Sequence, residues 1–221
     1  MKSPIIQAFD PFPILETKRL VMRQLCLDDA PAVFAIFSDP EVTRYYDVKT
    51  MKKPSEATRL ITWWSNRIKN RKALRWAVTF KDSPGQVLGT CGFSEIHKPN
   101  PMAEIGMDLM RPYWGQGIIT EAAAAMVDFG FRVMELNRIE TWVVMENAAS
   151  LHILKKLGFQ TEGVLRQRRF WQGGYQATYY AYIWSEVIDS DAYAFVLERG
   201  GLPRANGQRF REMILAKAGS M

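Results

Sequence analysis

Hydrophobic and polar residues repeat along this chain with two different periods. Alternation with a period of two predicts strands, whereas steps of three and four predict helices that bury one face. Strand patterns occur over residues 14–25, 75–80, 86–96, 103–110, 138–146, 163–171 and 175–184. Helix patterns occur over residues 27–42, 55–72, 118–133 and 147–159. This order predicts an α/β or α+β layer architecture with one open sheet of about seven strands.

The boundaries of several elements carry local signals. Ser55 stands in capping position before its helix pattern. The helix predicted from about residue 118 has one buried stripe, formed by Ile119, Ala122, Met126, Phe129 and Val133. Three prolines predict an irregular lead-in over residues 1–13. Residues 186–221 contain two further helix patterns and predict a helical C-terminal extension.

The composition indicates an ordinary globular protein. The chain has 221 residues, of which 48% are hydrophobic, so one domain with a full core is expected. Cys26 and Cys91 match no metal or redox spacing, which favours a reducing compartment. We find no signal peptide and no apolar run long enough to span a membrane, so a cytoplasmic protein is predicted. The net charge of +6 comes mostly from scattered basic residues, and no known nucleic-acid motif accompanies it.

The stretch YWGQG, residues 113–117, places two glycines directly before an alanine-rich helix pattern. The first N–H groups of a helix lack partners and lie at the positive end of its dipole. A glycine-rich turn at that position is typical of a phosphate cradle. The dinucleotide fingerprint needs a third glycine where Thr120 stands, and the P-loop ending is absent. A tight turn with no ligand explains the two glycines equally well.

A second polar pattern follows the strand over residues 138–146. Asn147 is predicted to cap the next helix, Ser150 is its third residue, and Gly158 falls where the helix would end. With the glycine turn, these stretches resemble the GNAT superfamily of acyl-CoA-dependent N-acetyltransferases. The resemblance is greatest to the RimJ/RimL-type branch, which acetylates the N-terminal amine of ribosomal proteins. It rests on LETKRLVMRQL, AEIGMDLMRPYWGQGIITEA, RIETWVVMENAASLHILKKLGFQTEG and FWQGGYQATYYAYI, so we predict a GNAT domain over residues 14–185 and an extension over 186–221.

The resemblance implies a mixed, mostly antiparallel sheet, splayed between the strands at 103–110 and 138–145, with acetyl-CoA in the gap. The pantetheine arm would pair with the backbone of Asp108, Leu109 and Met110. The pyrophosphate would bind the amides of Gly115, Gln116, Gly117 and Ile118. Asn147 would bond the pantetheine amide. One departure concerns Pro112, which stands where the family usually has Gln or Arg.

The family chemistry is direct transfer to an amine, with no metal and no covalent enzyme intermediate. Glu104 is the first candidate for the general base, although it could equally be a solvated carboxylate at a strand end with no catalytic role. Glu95 and His97 are weaker candidates. Ser150 is the candidate acid. The alternatives are that Ser150 only caps its helix, or that one of Tyr179, Tyr180 and Tyr182 is the acid. The acceptor pocket is predicted to include Tyr45, Tyr46 and Trp171. An aspartate common in this branch is replaced by Ala177.

The predicted function is therefore acetyl transfer from acetyl-CoA to a primary amine, either a protein N-terminus or a small molecule. A xenobiotic-amine acetyltransferase and a non-catalytic acyl-CoA sensor remain as alternatives. A nucleic-acid-binding protein is disfavoured, no membrane partner is expected, and a homodimer is left open.

Overall fold

Eight strands of the described part of the chain form one sheet in this computed structural model. The structure describes residues 3–46, 48–171 and 174–184, with side chains described as far as residue 165. The strand order is β1-β2-β3-β4-β5-β6-β8-β7. The strands are β1 (Leu15–Glu16), β2 (Leu20–Gln24), β3 (Leu74–Phe80), β4 (Ser83–His97), β5 (Met102–Leu109), β6 (Arg138–Val144), β7 (Gln160–Trp171) and β8 (Gly174–Trp184). The described pairings are antiparallel except that of β5 with β6, which confirms the predicted mixed, mostly antiparallel sheet.

Six α-helices connect or flank these strands in the described part of the chain. They are α1 (Pro4–Gln7), α2 (Ala30–Phe37), α3 (Pro40–Thr43), α4 (Pro54–Lys69), α5 (Ile118–Arg132) and α6 (Ala148–Lys156). The chain divides into two compact units, Met1–Ile183 and Trp184–Met221. The helices predicted within residues 186–221 lie outside the described residues.

Each face of the sheet carries its own hydrophobic core. On one face, α5 packs its buried side chains against Trp76, Phe93 and neighbours on β2 to β6. On the other face, α2 and α4 pack Phe37, Ile61 and Trp64 against Ala77 and surrounding residues. Because both faces are covered, ligand access is confined to the edges and splits of the sheet.

The first predicted strand is in fact a hairpin. Residues 14–25 contain both β1 and β2, which pair antiparallel with Leu15 opposite Met22. The reversal is closed by two hydrogen bonds, from Thr17 N to Leu20 O at 3.0 Å and from Leu20 N to Thr17 Oγ1 at 3.0 Å. The Thr17 hydroxyl replaces a backbone acceptor and lets the chain turn without glycine. This extra reversal accounts for eight strands where about seven were predicted.

Three boundary predictions were wrong for local reasons. The lead-in contains α1, which begins at Pro4, a residue well suited to the first helical position. Helix α4 also begins at a proline, Pro54, so Ser55 lies inside it, and Glu56 accepts from the N–H of Lys52 and Lys53 at 2.7 Å each. On α5 the predicted stripe is buried except for Val133, which is the C-cap and 50% exposed.

Candidate active site

The sheet opens between β5 and β6. These strands run parallel and pair only from Met102 opposite Arg138 to Glu104 opposite Glu140. Beyond that point β5 continues to pair with β4, but its other edge, which faces β6, has no described backbone pairing. The Thr141 hydroxyl donates to the carbonyl of Ile105 at 3.1 Å at the start of the gap. The C-terminal half of β5 therefore has an open edge.

Strand alternation decides which backbone groups line this edge. Met110 N donates to Leu88 O at 2.8 Å, so Met110 faces β4. Because successive residues face opposite sides, Asp108 also faces β4, whereas Met107 and Leu109 face the gap. Of the predicted pairing set Asp108, Leu109 and Met110, only Leu109 has its backbone N–H and C=O on the open edge, whereas those of Asp108 and Met110 face β4.

Part of the open edge is already occupied by a side chain. The Trp114 indole Nε1 donates to Leu109 O at 2.7 Å. The Met110 carbonyl accepts from Tyr113 N at 3.0 Å. The short 3₁₀ turn at Arg111–Tyr113 is thereby held against the end of β5, and the next residues lead directly into the glycine loop. The Leu109 N–H and the Met107 backbone remain to face a ligand.

The glycine loop has a conformation suited to an anion. Gly115 and Gly117 have φ of +74° and +71°, in the left-handed region that side chains disfavour. A Cβ placed on Gly115 would meet no atom within 4 Å. Glycine is therefore required there by the left-handed backbone and not by crowding, and the space above the loop is open. Among the described residues, the N–H groups of residues 115–118 have no hydrogen-bond acceptor. Successive free amides at a helix N-terminus form a concave anion-binding surface.

Helix α6 begins as the sequence predicted, on the other side of the gap. Asn147 is the N-cap, and its Oδ1 accepts from Ser150 N at 3.1 Å. Gly158 follows the helix with φ of +85°. The Asn147 amide oxygen is thus used for capping, whereas its Nδ2 can donate elsewhere. Ser150 is partly exposed on the first turn.

Glu104 lies in a row of three glutamates across the sheet. It is opposite Glu95 on β4 and opposite Glu140 on β6, so all three side chains leave the same face. Glu95 pairs with Arg67 of α4, and Glu140 pairs with Arg138 at 2.8 Å. Glu104 itself is half-buried. The row places three carboxylates, two of them ion-paired with arginines, at the point where β5 and β6 begin to separate.

The predicted pocket residues differ in their contact with β5. The Tyr46 hydroxyl lies 3.5 Å from Asp108 Oδ2 and 3.4 Å from Arg75 Nη2, so Tyr46 reaches β5. Tyr45 lies under the Arg44 guanidinium at 5.3 Å and has no described contact with β5. Trp171 ends β7, and its side chain is outside the described part of the structure.

Sequence reasoning missed a buried polar cluster behind the open edge. Arg75 forms an ion pair with Asp108, donates to Thr90 Oγ1 at 2.7 Å, and donates to Gly106 O at 3.2 Å. Thr90 in turn donates to both carboxylate oxygens of Asp108. Burial raises the pKa of the Asp108 carboxyl, while Arg75 and Thr90 oppose that shift. An arginine inside the mostly apolar strand LRWAVTF was the available signal.

Cys91 and the two histidines are weak candidates for this chemistry. Burial raises the pKa of the Cys91 thiol to about 12, which makes it a poor nucleophile at neutral pH. His97 is exposed at the end of β4 and His152 is exposed on α6. Within the described ranges, no group of three His, Cys, Asp or Glu side chains could hold a metal ion. No helix in the same residues is long and apolar enough to cross a membrane.

Known proteins resemble this chain over most of its length. The uncharacterized N-acetyltransferase YoaA of Bacillus subtilis is 38% identical over 162 residues, which cover 73% of this chain and 91% of that protein. The spermidine N(1)-acetyltransferase of Escherichia coli is 30% identical over 156 residues, covering 70% and 80%. The structure of RimL, a ribosomal L7/L12 α-N-protein acetyltransferase in complex with coenzyme A, superposes with a TM-score of 0.72 at 18% identity, covering 79% and 99%.

The C-terminal part of the chain has a second resemblance. A model of peptidase family M3 matches residues 137–221. Forty-eight residues are 54% identical to the dipeptidyl carboxypeptidase of Salmonella typhimurium, but they cover 7% of that enzyme. The predicted GNAT-like hairpin FWQGGYQATYYAYI falls within this peptidase match. Neither histidine of the chain stands in an H-E-x-x-H zinc motif.

The acetyltransferase match covers the part of the chain that forms the site. The model of the acetyltransferase (GNAT) domain matches residues 19–160, from just before β2 to the start of β7. This range includes the open edge of β5, the glycine loop and the capped start of α6. The chain therefore belongs to the GNAT acetyltransferase domain family.

Proposed function

We propose that this protein transfers an acetyl group from acetyl-CoA directly to a primary amine. The observation that carries the proposal is the continuity of the open edge of β5 with a loop of four free amides at the N-terminus of α5. An extended polar chain that ends in a diphosphate matches both features. The RimL neighbour, described in complex with coenzyme A, has the same fold and supports this choice.

The cofactor contacts follow from which groups remain available. The Leu109 N–H and the Met107 carbonyl would pair with the pantetheine amides, in place of Asp108 and Met110. The amides of Gly115, Gln116, Gly117 and Ile118 would hold the diphosphate. The Asn147 Nδ2 group would donate to a pantetheine carbonyl, because its Oδ1 already caps α6.

The proposed chemistry needs few protein groups. Holding amine and thioester together supplies much of the rate, since intramolecular reactions reach effective molarities of about 10⁵ M or more. Glu104 would take the proton from the incoming ammonium, directly or through water. Ser150 would donate a proton to the departing thiolate. The Met107 N–H, which also faces the gap, would polarise the acyl carbonyl as negative charge develops on its oxygen.

The carboxylates beside the gap can accept hydrogen bonds from an amine acceptor. Glu104 lies between Glu95 and Glu140, which are ion-paired with arginines, where the strands separate. Tyr46 reaches β5 from the connection after α3. Both a protein N-terminus and a small amine are protonated near neutral pH and fit this environment. The spermidine acetyltransferase relative supports the amine class.

The extension over residues 186–221 is proposed to lie outside the catalytic unit, since the acetyltransferase match ends at residue 160. The two cysteines are free thiols, one of them buried, which supports the proposed cytoplasmic location.

A thiol-release assay tests the proposal. The purified full chain is incubated with acetyl-CoA and a panel of N-terminal peptides, polyamines and drug amines. Amine-dependent release of coenzyme A, with the acetylated amine identified by mass, is the expected result. Binding of acetyl-CoA with no turnover on any amine would instead indicate a sensor.

A further inference from the structure

A carboxylate stands where the proposed diphosphate site needs positive potential. Glu121 lies in the first turn of α5, and its own N–H donates to Gly117 O at 3.0 Å. The N-terminus of a helix attracts anions through its dipole and its free amides. A negative side chain in the first turn competes for that potential and repels a second anion.

The β1–β2 hairpin surrounds this carboxylate with donors. Thr17 Oγ1 donates to Glu121 Oε1 at 2.6 Å, Arg19 N donates to the same oxygen at 3.0 Å, and Arg19 Nε donates to Oε2 at 2.7 Å. Burial alone would raise the pKa of Glu121, but these hydrogen bonds outweigh it and hold the pKa below its ordinary value. Glu121 is therefore ionised at neutral pH and ion-paired with Arg19.

The same guanidinium also contacts the glycine loop. Arg19 Nη1 and Nη2 both lie 3.2 Å from Gln116 O, the carbonyl between the two left-handed glycines. One planar group therefore joins the carboxylate to the loop. Its five N–H donors have a fixed geometry, which an ammonium group cannot reproduce.

We propose that Arg19 is a positioning residue for coenzyme A, which neutralises Glu121 and fixes the Gln116 carbonyl so that the loop amides can accept the diphosphate. This inference rests on the proposed function, since it assigns a role within the same cofactor site. The TKRL stretch, residues 17–20, would thus contribute to ligand binding as well as closing the hairpin.

Calorimetric titration of the full chain with coenzyme A tests the inference through a double-mutant cycle. Arg19→Ala should weaken binding about tenfold, because it leaves an uncompensated carboxylate beside the loop. Glu121→Gln should bind at least as tightly as wild type. The double variant should recover to within about threefold of wild type, since the repelling charge is gone.

Lys81→Ala is the matched control. Lys81 and Arg19 side chains are each 42% exposed, and Lys81 pairs with Glu16 of the same hairpin at 3.1 Å. Its removal lowers the net charge equally and should leave the dissociation constant unchanged. Equal weakening by Lys81→Ala and Arg19→Ala would overturn the inference in favour of a general charge effect.

Two other results would also overturn it. One is an unchanged dissociation constant for Arg19→Ala, and the other is a double variant as weak as Arg19→Ala. If Arg19→Ala does not fold, Arg19→Gln with and without Glu121→Gln gives the same cycle, because the charge is removed while part of the side chain is kept. Wild-type protein that ignores coenzyme A would refute the proposed function itself, whereas binding by wild type with no rescue refutes this inference alone.

Discussion

Arg75 and Asp108 form an ion pair behind the open edge of β5, and their side chains are 5% and 1% exposed. The pair joins β3 to β5, and the Tyr46 hydroxyl contacts both partners. A buried charge is tolerated when it is paired and hydrogen-bonded, as Asp108 is by Thr90 as well as Arg75. The strand that faces the proposed cofactor is thus fixed from its other side.

Loss of this carboxylate should destabilise the protein strongly. Asp108→Ala leaves the Arg75 guanidinium buried without its partner, and the free energy of unfolding should fall by about 3–5 kcal/mol. Asp128→Ala is the control, because Asp128 pairs with Arg132 where both side chains are more than half exposed. That change should cost less than about 1 kcal/mol. Urea unfolding of both variants measures the difference, and equal losses would contradict the account.

Asn147 is expected to have two separable roles. Asn147→Asp keeps a side-chain oxygen for the Ser150 N–H, so α6 should stay capped and the melting temperature should change little. The change removes the Nδ2 donor, so coenzyme A should bind about tenfold more weakly. Asn147→Ala should lose both properties, with about 1 kcal/mol of stability. Unchanged binding by the aspartate variant would show that Asn147 only caps the helix.

The two candidate catalytic residues should affect turnover without affecting cofactor binding. Ser150→Ala and Glu104→Gln should each lower kcat about 10²-fold or more, as expected for loss of a general acid or base. Glu95→Gln, on the neighbouring strand, serves as the comparison. Thiol-release kinetics and calorimetry distinguish the effects. A larger loss of kcat for Glu95→Gln than for Glu104→Gln would indicate that Glu95, on β4, is the general base.

The stability of the region before α2 should depend on pH. Arg23 donates to both oxygens of Asp29 at 2.9 and 2.8 Å, and Cys26 N donates to Oδ2 at 2.8 Å. Burial raises the pKa of Asp29, but these bonds outweigh it and hold the pKa below the ordinary value of 3.8. The depressed pKa means that Asp29 contributes stability above pH 3.8, which is lost as the pH falls through its folded pKa.

Asp29→Asn should therefore cost about 2 kcal/mol at pH 7, and the difference from wild type should shrink below pH 3.8. Urea unfolding at several pH values measures this dependence. Asp28→Asn, at an exposed neighbouring position, should stay within about 0.5 kcal/mol of wild type at neutral pH. A constant difference for Asp29→Asn across the range would contradict the ionic role.

Local signals made parts of this fold predictable from the sequence. The cap at Asn147, the left-handed Gly158 after α6 and the glycine turn directly before α5 were predicted correctly, because each depends on a few adjacent residues. The hairpin within residues 14–25 was not predicted. It is closed by a hydrogen bond from Leu20 N to the Thr17 hydroxyl, and the local sequence has no glycine or other strong turn signal.

Long-range contacts could not be read from one sequence. The Arg75–Asp108 and Arg19–Glu121 pairs join residues on different elements, and no local pattern links the partners. The choice between Asp108 and Leu109 on the open edge depends on strand register, which the alternation alone does not fix. The family resemblance pointed to β5, and the structure identified which of its residues face the gap.

The most direct test of the cofactor site is calorimetric titration of wild type, Gly117→Val and Gly85→Val with coenzyme A. Gly117 has a left-handed backbone that valine resists, whereas a Cβ on Gly85 meets no atom within 4 Å. The account predicts that wild type and Gly85→Val bind alike, and that Gly117→Val binds at least about tenfold more weakly. Equal binding by wild type and Gly117→Val, or no binding by wild type, would contradict it.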